Sequence, residues 1–390
     1  MKAPASAGTP ADAVAAAPHE EATRRQIRGS SLLLAGRFLT LASHLAIQVM
    51  IVRYLSKTDF GAFAYALSLA HLGASIATFG LDRSITRFVP IYDEQGKYNK
   101  LFGTVVLAVG TVLSLGLVSL VLVYGLQGFL TGTLITDERA VSLLLILIIL
   151  SPVNALDGLM MGMFAVFSKP RAIFFRKHVL TPTLRLTIVL LLVLGNQDVY
   201  FLAGGYVFAG AVGVAIYSVI LYRTLKSEGL LTRFSLPSIE IPWREVFGFT
   251  IPLLTSDLVY MTMNVSDAIL LGHFGGTEDV AAFKVVWPAA HLNQVVMASF
   301  ALLFTPLAAR MFARNDREGI NNLYWQTAIW IAVLSFPVFA LTFSLAQPLT
   351  ETLFGSRYAD SATFLTLLSV GYYFNAALGF NGLTLKVYGR

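Results

Sequence analysis

Repeated apolar stretches of about 20 residues constrain this chain more than any other feature. Runs such as Val141–Leu150 (VSLLLILIIL) and Leu186–Leu194 (LTIVLLLVL) recur along its 390 residues. A helix of about 20 apolar residues matches the hydrocarbon thickness of a bilayer. Lipid satisfies no backbone hydrogen bond, so helices are the open option for such stretches. Ten spans are expected, at roughly 30–52, 61–81, 101–124, 141–167, 179–195, 199–222, 246–272, 280–308, 321–346 and 361–385. Composition agrees: 56% of residues are hydrophobic and 13% charged, and mean hydropathy is +0.70. With no cysteine, disulfide scaffolds and zinc–thiolate sites are excluded. Prolines within spans (Pro152, Pro182, Pro252, Pro288 and Pro337) are the expected kink positions.

The net charge of +6 does not point to nucleic acid, because the basic residues sit in short loops between spans. If the N-terminus is cytoplasmic, 21 Lys and Arg fall on the cytoplasmic side, 4 on the opposite side and 3 within spans. The positive-inside rule then places both ends of the chain in the cytoplasm of a cell that exposes a plasma or inner membrane. Residues 1–29 read as a disordered cytoplasmic tail, since Met1–Pro18 is rich in Ala and Pro and lacks a signal-peptide core.

An internal repeat joins the two halves. Arg53–Leu72 (RYLSKTDFGAFAYALSLAHL) aligns with His273–Leu292 (HFGGTEDVAAFKVVWPAAHL) at a constant offset of 220. Six spans per repeat is an even number, so both halves share one orientation, as in transporters built from parallel repeats. The expected organisation is an N-lobe over 30–222, a cytoplasmic linker over 223–244 and a C-lobe over 245–390.

Arg28–Tyr92 contains GRFLTLASHLAIQVMIVRYLSKTDFGAFAYALSLAHLGASIATFGLDRSITRFVPIY. It resembles the start of polysaccharide-biosynthesis membrane proteins. These include the O-antigen and exopolysaccharide flippases of the multidrug/oligosaccharidyl-lipid/polysaccharide exporter superfamily. The polar first span, the YLSKTDFGAFAY turn and the FGLDRSITRF exit from span 2 carry the likeness, which extends over about 28–390. It implies an all-α polytopic membrane protein of two pseudo-symmetric six-helix lobes around a central cavity. It also implies non-enzymatic export of a polyprenyl-pyrophosphate-linked oligosaccharide, for lipopolysaccharide or another surface glycan. Membrane lipids and other polysaccharide assembly proteins are the implied partners. Members carry more than ten spans, so the second lobe is expected to lack at least two helices.

Charged residues at the centre of a span cost about 2.5–3.5 kcal/mol each on insertion scales, so they must face a cavity, one another or the headgroups. Helical spacing sets Ser30, Arg37, Thr40, His44 and Gln48 on one face of span 1. Thr250, Asp257, Tyr260, Asn264 and Asp267 share a face of span 7, and Lys284, Trp287, His291 and Gln294 one of span 8. A cavity lining is expected, with interhelical polar bonding the alternative. Arg37 is the leading pyrophosphate contact, because its planar fork offers bidentate donors. Its alternative is to snorkel to headgroups about 10 Å away. His44, Arg185, Lys284 and His291 complete the expected substrate set. The histidines are otherwise neutral core residues, and Lys284 can otherwise reach the interface. Asp257, Asn264 and Asp267 are the expected coupling-ion set, for Na⁺ or H⁺ and with no other cofactor. The alternative for Asp257 is an ion pair with a cation of another helix. Arg83 and Arg87 read as topology anchors, and Lys169, Arg171, Arg176 and Lys177 as a basic loop suited to anionic headgroups. The rivals to a flippase are a multidrug/cation antiporter of the same superfamily, and a membrane-embedded glycosyltransferase or polymerase. The short outer loops and the lack of a DxD-type pair argue against the enzyme.

Overall fold

A computed structural model of the chain describes residues 36, 39–131, 135, 137–167, 169–233 and 236–387. The expected tail and Arg37 lie outside the described residues. Among them the structure is helical, with one isolated bridge between Thr131 and Ile135 as the exception. In chain order the helices are α1 (Leu39–Tyr54), α2 (Lys57–Thr78), α3 (Leu81–Glu94), α4 (Tyr98–Gly125) and a short α5 (Gln127–Phe129). They continue with α6 (Glu138–Leu147), α7 (Leu150–Val166), α8 (Pro170–Phe174), α9 (Thr181–Leu194) and α10 (Val199–Ser227). The second half contains α11 (Trp243–Phe274), α12 (Thr277–His291), α13 (Val295–Ala313), α14 (Arg317–Ser344), α15 (Ala346–Phe354), α16 (Ser361–Ala377) and α17 (Asn381–Val387).

Six of these helical segments are long and apolar enough to cross a membrane, or eight if each of two bent pairs counts as one span. The two remaining expected spans differ for local reasons. Span 1 is described continuously only from Leu39 onward. Span 8 is divided into α12 and α13 by a single 3₁₀ turn at Leu292–Gln294. Span 5 starts earlier than its apolar run: the helix is continuous over Arg171–Leu194, with a π-helical turn at Phe175–Leu180. Arg176 and Lys177 therefore belong to a span, not to a loop.

Two proline positions explain their bends. A proline frees the carbonyl four residues earlier, which weakens the turn before it. The 41° bend between α6 and α7 falls one turn before Pro152, and the π-helical turn falls one turn before Pro182. Pro337 leaves α14 unbroken. The 40° bend of α11 lies between Thr255 and Asp257, after Pro252, where the proline rule gives no account of it.

The offset of 220 holds to the residue. α1 ends at Tyr54 and α11 at Phe274, while α2 starts at Lys57 and α12 at Thr277. Equivalent residues of the two helices also touch. Thr58 Oγ1 donates to Glu278 Oε1 at 2.9 Å. A Cβ on Gly61 would lie 3.2 Å from that of Ala281. Two pairs at one offset require helices running in the same direction, with the pseudo-two-fold axis between them. Small residues allow this approach, as at other tight membrane-helix crossings. Ala62, Ala66 and Ala70 of α2 and Ala281, Ala282 and Ala289 of α12 are all buried, Ala281 at the contact itself. Gly61 is the tightest point, because a Cβ there would fall 1.8 Å from the Thr277 carbonyl oxygen. Gly61→Val is expected to lose about 1–3 kcal/mol through overpacking. A melting temperature in detergent equal to that of the unaltered protein would contradict this packing.

The ends of the bundle are called upper, where α2, α12 and α16 begin, and lower, where α3 ends and α11 begins. A dense polar network crosses between the halves at the upper end. Lys57 Nζ bonds Asp360 Oδ2 at 2.6 Å, and Thr277 Oγ1 donates to Asp137 Oδ2 at 2.8 Å. Asp137 and Asp360 are the N-cap residues of α6 and α16, so each half holds a helix start of the other. Arg53 donates to the carbonyls of Thr352 and Leu353 at the end of α15. Arg357 donates to those of Val52 and Arg53 at the end of α1. Tyr358 is buried between Lys57 and Arg357, and this burial raises its hydroxyl pKa above the usual tyrosine range.

Among the described residues, links at the lower end run to α11. Ser84 and Thr250 hydroxyls lie 2.6 Å apart. Glu245 accepts from Tyr92 at 2.6 Å and from Lys100 at 3.1 Å. Arg83 Nη2 bonds Asp257 Oδ1 at 2.7 Å.

Candidate functional site

The polar stripes meet different partners. On α1, Thr40 Oγ1 lies 2.5 Å from His178 Nδ1, and Gln48 donates to the Lys284 carbonyl of α12 at 3.2 Å. His44, between them, is exposed. His71 of α2 is also exposed. The charge of Arg185 reaches both histidines and also Asp157. These three side chains therefore share one region of the first half.

The cations of that region are held differently. Arg176 is buried and bonds Asp157 Oδ1 through Nε at 2.9 Å and Nη2 at 2.8 Å. It also donates to Thr181. Arg176 was expected in a loop. It is inside because a charged turn can continue a membrane helix when its side chains find partners within the bundle. Arg185 lies over the Tyr206 ring, 5.0 Å from the centroid. Among the described residues no carboxylate lies within ion-pair distance of it. A guanidinium on an aromatic face keeps its five N–H donors in plane and available.

In the second half the expected site residues pair with one another. Lys284 Nζ bonds Asp267 Oδ2 at 2.8 Å, each side chain no more than one-fifth exposed. Asp257 is held by Arg83. The side chain of Asn264 lies outside those described. His291 stacks on Trp287 at 5.2 Å and meets Tyr372 edge-on at 5.4 Å. Its repeat equivalent His71 is exposed instead, so the shared position does not give a shared environment. Replacing Asp267 by Asn leaves the Lys284 ammonium without its anion. We expect a stability loss of about 1–3 kcal/mol, and its recovery when Lys284→Met is added. Melting temperatures of the three variants check this; equal values for the single and double variants would contradict it.

Sequence reading missed Arg83 as a partner of Asp257, and Arg176 and His178 as interior groups. A usable signal existed for Arg83, which follows the FGL turn on the face that continues span 2. None existed for Arg176 among the neighbouring loop-like cations.

The sequence matches the family described as polysaccharide biosynthesis protein over residues 27–312. The chain belongs to that family. A second family, MatE, matches residues 252–390. The succinoglycan biosynthesis transport protein ExoT of Rhizobium meliloti is 24% identical over 332 residues, covering 82% of this chain. This chain spans 61% of the length of that relative. The uncharacterized membrane protein MJ1068 of Methanocaldococcus jannaschii is 19% identical over 385 residues, covering 92% of this chain and 73% of its own. Among solved structures, an inward-facing multidrug resistance MATE family transporter of the MOP superfamily is similar at a TM-score of 0.67. It is 15% identical and covers 90% of this chain and 82% of its own. A MOP superfamily transporter from Pyrococcus furiosus gives 0.56 at 15% identity, covering 93% and 83%. Identities this low establish the fold alone. This polysaccharide-biosynthesis family member is thus a multi-pass helical membrane protein with the fold of the MATE transporter structures.

Proposed function

We propose that the protein moves a polyprenyl-pyrophosphate-linked oligosaccharide across the plasma or inner membrane by alternating access, for surface polysaccharide synthesis. The observation carrying the reading is Arg185, a guanidinium supported by the Tyr206 ring and without a carboxylate at ion-pair distance among the described residues, Asp157 acting on it only from further away. A half-buried guanidinium without an ion-pair partner can take an anionic counter-charge, and a transported pyrophosphate supplies one. His44 and His71 offer hydrogen-bonding groups in the same region, and Arg37, outside the described residues, is expected from the spacing of span 1 to join them. Family membership supports a lipid-linked sugar as cargo. We place the lower end in the cytoplasm, on the strength of its basic loops. Residues 30–222 and 245–390 act as the two moving lobes in this reading, and the upper network is the closed outer gate.

A multidrug antiporter on the same fold would want an acidic cavity. Asp157, Asp257 and Asp267 are each bound to a cation instead. The Asp267–Lys284 pair is the better coupling candidate, since Na⁺ or H⁺ at Asp267 releases the lysine. Reconstituted vesicles test the function: a fluorescent lipid-linked oligosaccharide should become accessible on the far leaflet. Efflux of a hydrophobic cation with no movement of the labelled sugar lipid would sink the proposal.

A further inference from the structure

A cleft of about 380 Å³ opens between α2–α3 and α11. That volume lies inside the range of about 300–1,000 Å³ found for small-molecule sites. Ile76, Phe79, Leu254, Leu258 and Met261 give it apolar walls. Asp82, Arg83 and Asp257 give it charge. Arg83 and Asp257 come from opposite halves and meet at 2.7 Å, the arginine side chain half exposed. The approach is built in. Gly80 takes a left-handed backbone (φ +67°), and a Cβ there would stand 3.3 Å from Asp257 Oδ2 and Thr250 Cγ2.

We propose that this cleft is a second substrate site, taking the phosphate and first isoprenoid units of the lipid-linked cargo, with Asp257 the resident anion that the phosphate displaces from Arg83. The inference rests on the proposed function and extends it to the lipid end of the substrate. Cation and hydrocarbon wall side by side match a phosphate attached to an apolar chain. A free sugar or inorganic phosphate uses only half of that surface. In the ion pair Asp257 occupies one terminal nitrogen of a fork that can hold phosphate through two parallel bonds, so a more highly charged anion outcompetes it.

Displacement has a mechanical consequence. Ser84–Thr250 and the Glu245 contacts hold α11 below its bend, whereas Asp257 lies just past the bend. Loading the cleft therefore releases the upper segment of α11 from α3 and leaves its lower segment attached. Substrate itself would unfasten one side of the lower end while the upper network stays closed.

Binding to the purified full chain tests this with farnesyl pyrophosphate, farnesol and inorganic pyrophosphate as probes. Farnesyl pyrophosphate should bind best. Asp257→Asn, which removes the competing charge at equal shape, should tighten it about tenfold, and Arg83→Gln should weaken it about tenfold. Ile76→Trp, which fills the cleft but spares the ion pair, should weaken farnesyl pyrophosphate and leave inorganic pyrophosphate unchanged. Melting temperatures establish that each variant is folded. Binding lost in Arg185→Gln but indifferent to Arg83→Gln, Asp257→Asn and Ile76→Trp overturns the cleft site and leaves the proposed function standing. Farnesol binding as well as farnesyl pyrophosphate also overturns the cleft site. Absence of farnesyl pyrophosphate binding in the unaltered protein overturns both.

Discussion

Arg185→Gln is expected to reduce export about 10–100-fold, from the loss of about 1.5–3 kcal/mol of hydrogen bonding to a charged group. Arg185→Lys should retain part of the activity, because a lysine keeps the charge and loses the bidentate fork. Stability distinguishes this role from a structural one. Removing a cation that has no carboxylate partner should leave the melting temperature unchanged or raised. Surface glycan in a complemented strain and protein abundance are the two readouts. Normal glycan with reduced abundance would make Arg185 a structural residue, and the pyrophosphate would have to be held elsewhere.

Cross-linking the upper end is expected to have an effect as large. Thr58 and Glu278 meet at 2.9 Å on the pseudo-two-fold axis, and the chain has no native cysteine to interfere. Thr58→Cys combined with Glu278→Cys should form a disulfide on mild oxidation or accept a short bis-thiol linker. If the outer gate must part in each cycle, oxidation should bring transport below about a tenth of its reduced level, with recovery on adding reductant. Either cysteine alone should transport in both conditions. Full transport by the oxidised double variant would show that α2 and α12 do not separate at this point. The Lys57–Asp360 and Thr277–Asp137 contacts would then be stabilising devices only.

Both experiments depend on features that differ in how far the sequence revealed them. Spans and fold class were legible, because about 20 apolar residues in lipid have few options besides a helix. The repeat was legible too, and its offset of 220 reappears in helix ends and in contacts on the axis. Helical periodicity set Thr250, Asp257 and Asp267 on one expected face, and the structure gives each a polar partner, in Ser84, Arg83 and Lys284. What periodicity lacks is the neighbour. Asp257 received Arg83 from more than 170 positions away, and Lys284 received Asp267 from the preceding helix.

The sequence by itself determined a helical membrane protein with an internal parallel repeat, since chain–solvent chemistry and local periodicity settle those without tertiary contacts. Tertiary structure alone decided which charges are neutralised and which is left over. Arg176 looked like a loop cation and is buried on Asp157, whereas Arg185 looked secondary and has no carboxylate partner among the described residues. The physical reason is that a buried charge is governed by the few groups within about 4–6 Å, and helix packing sets that neighbourhood.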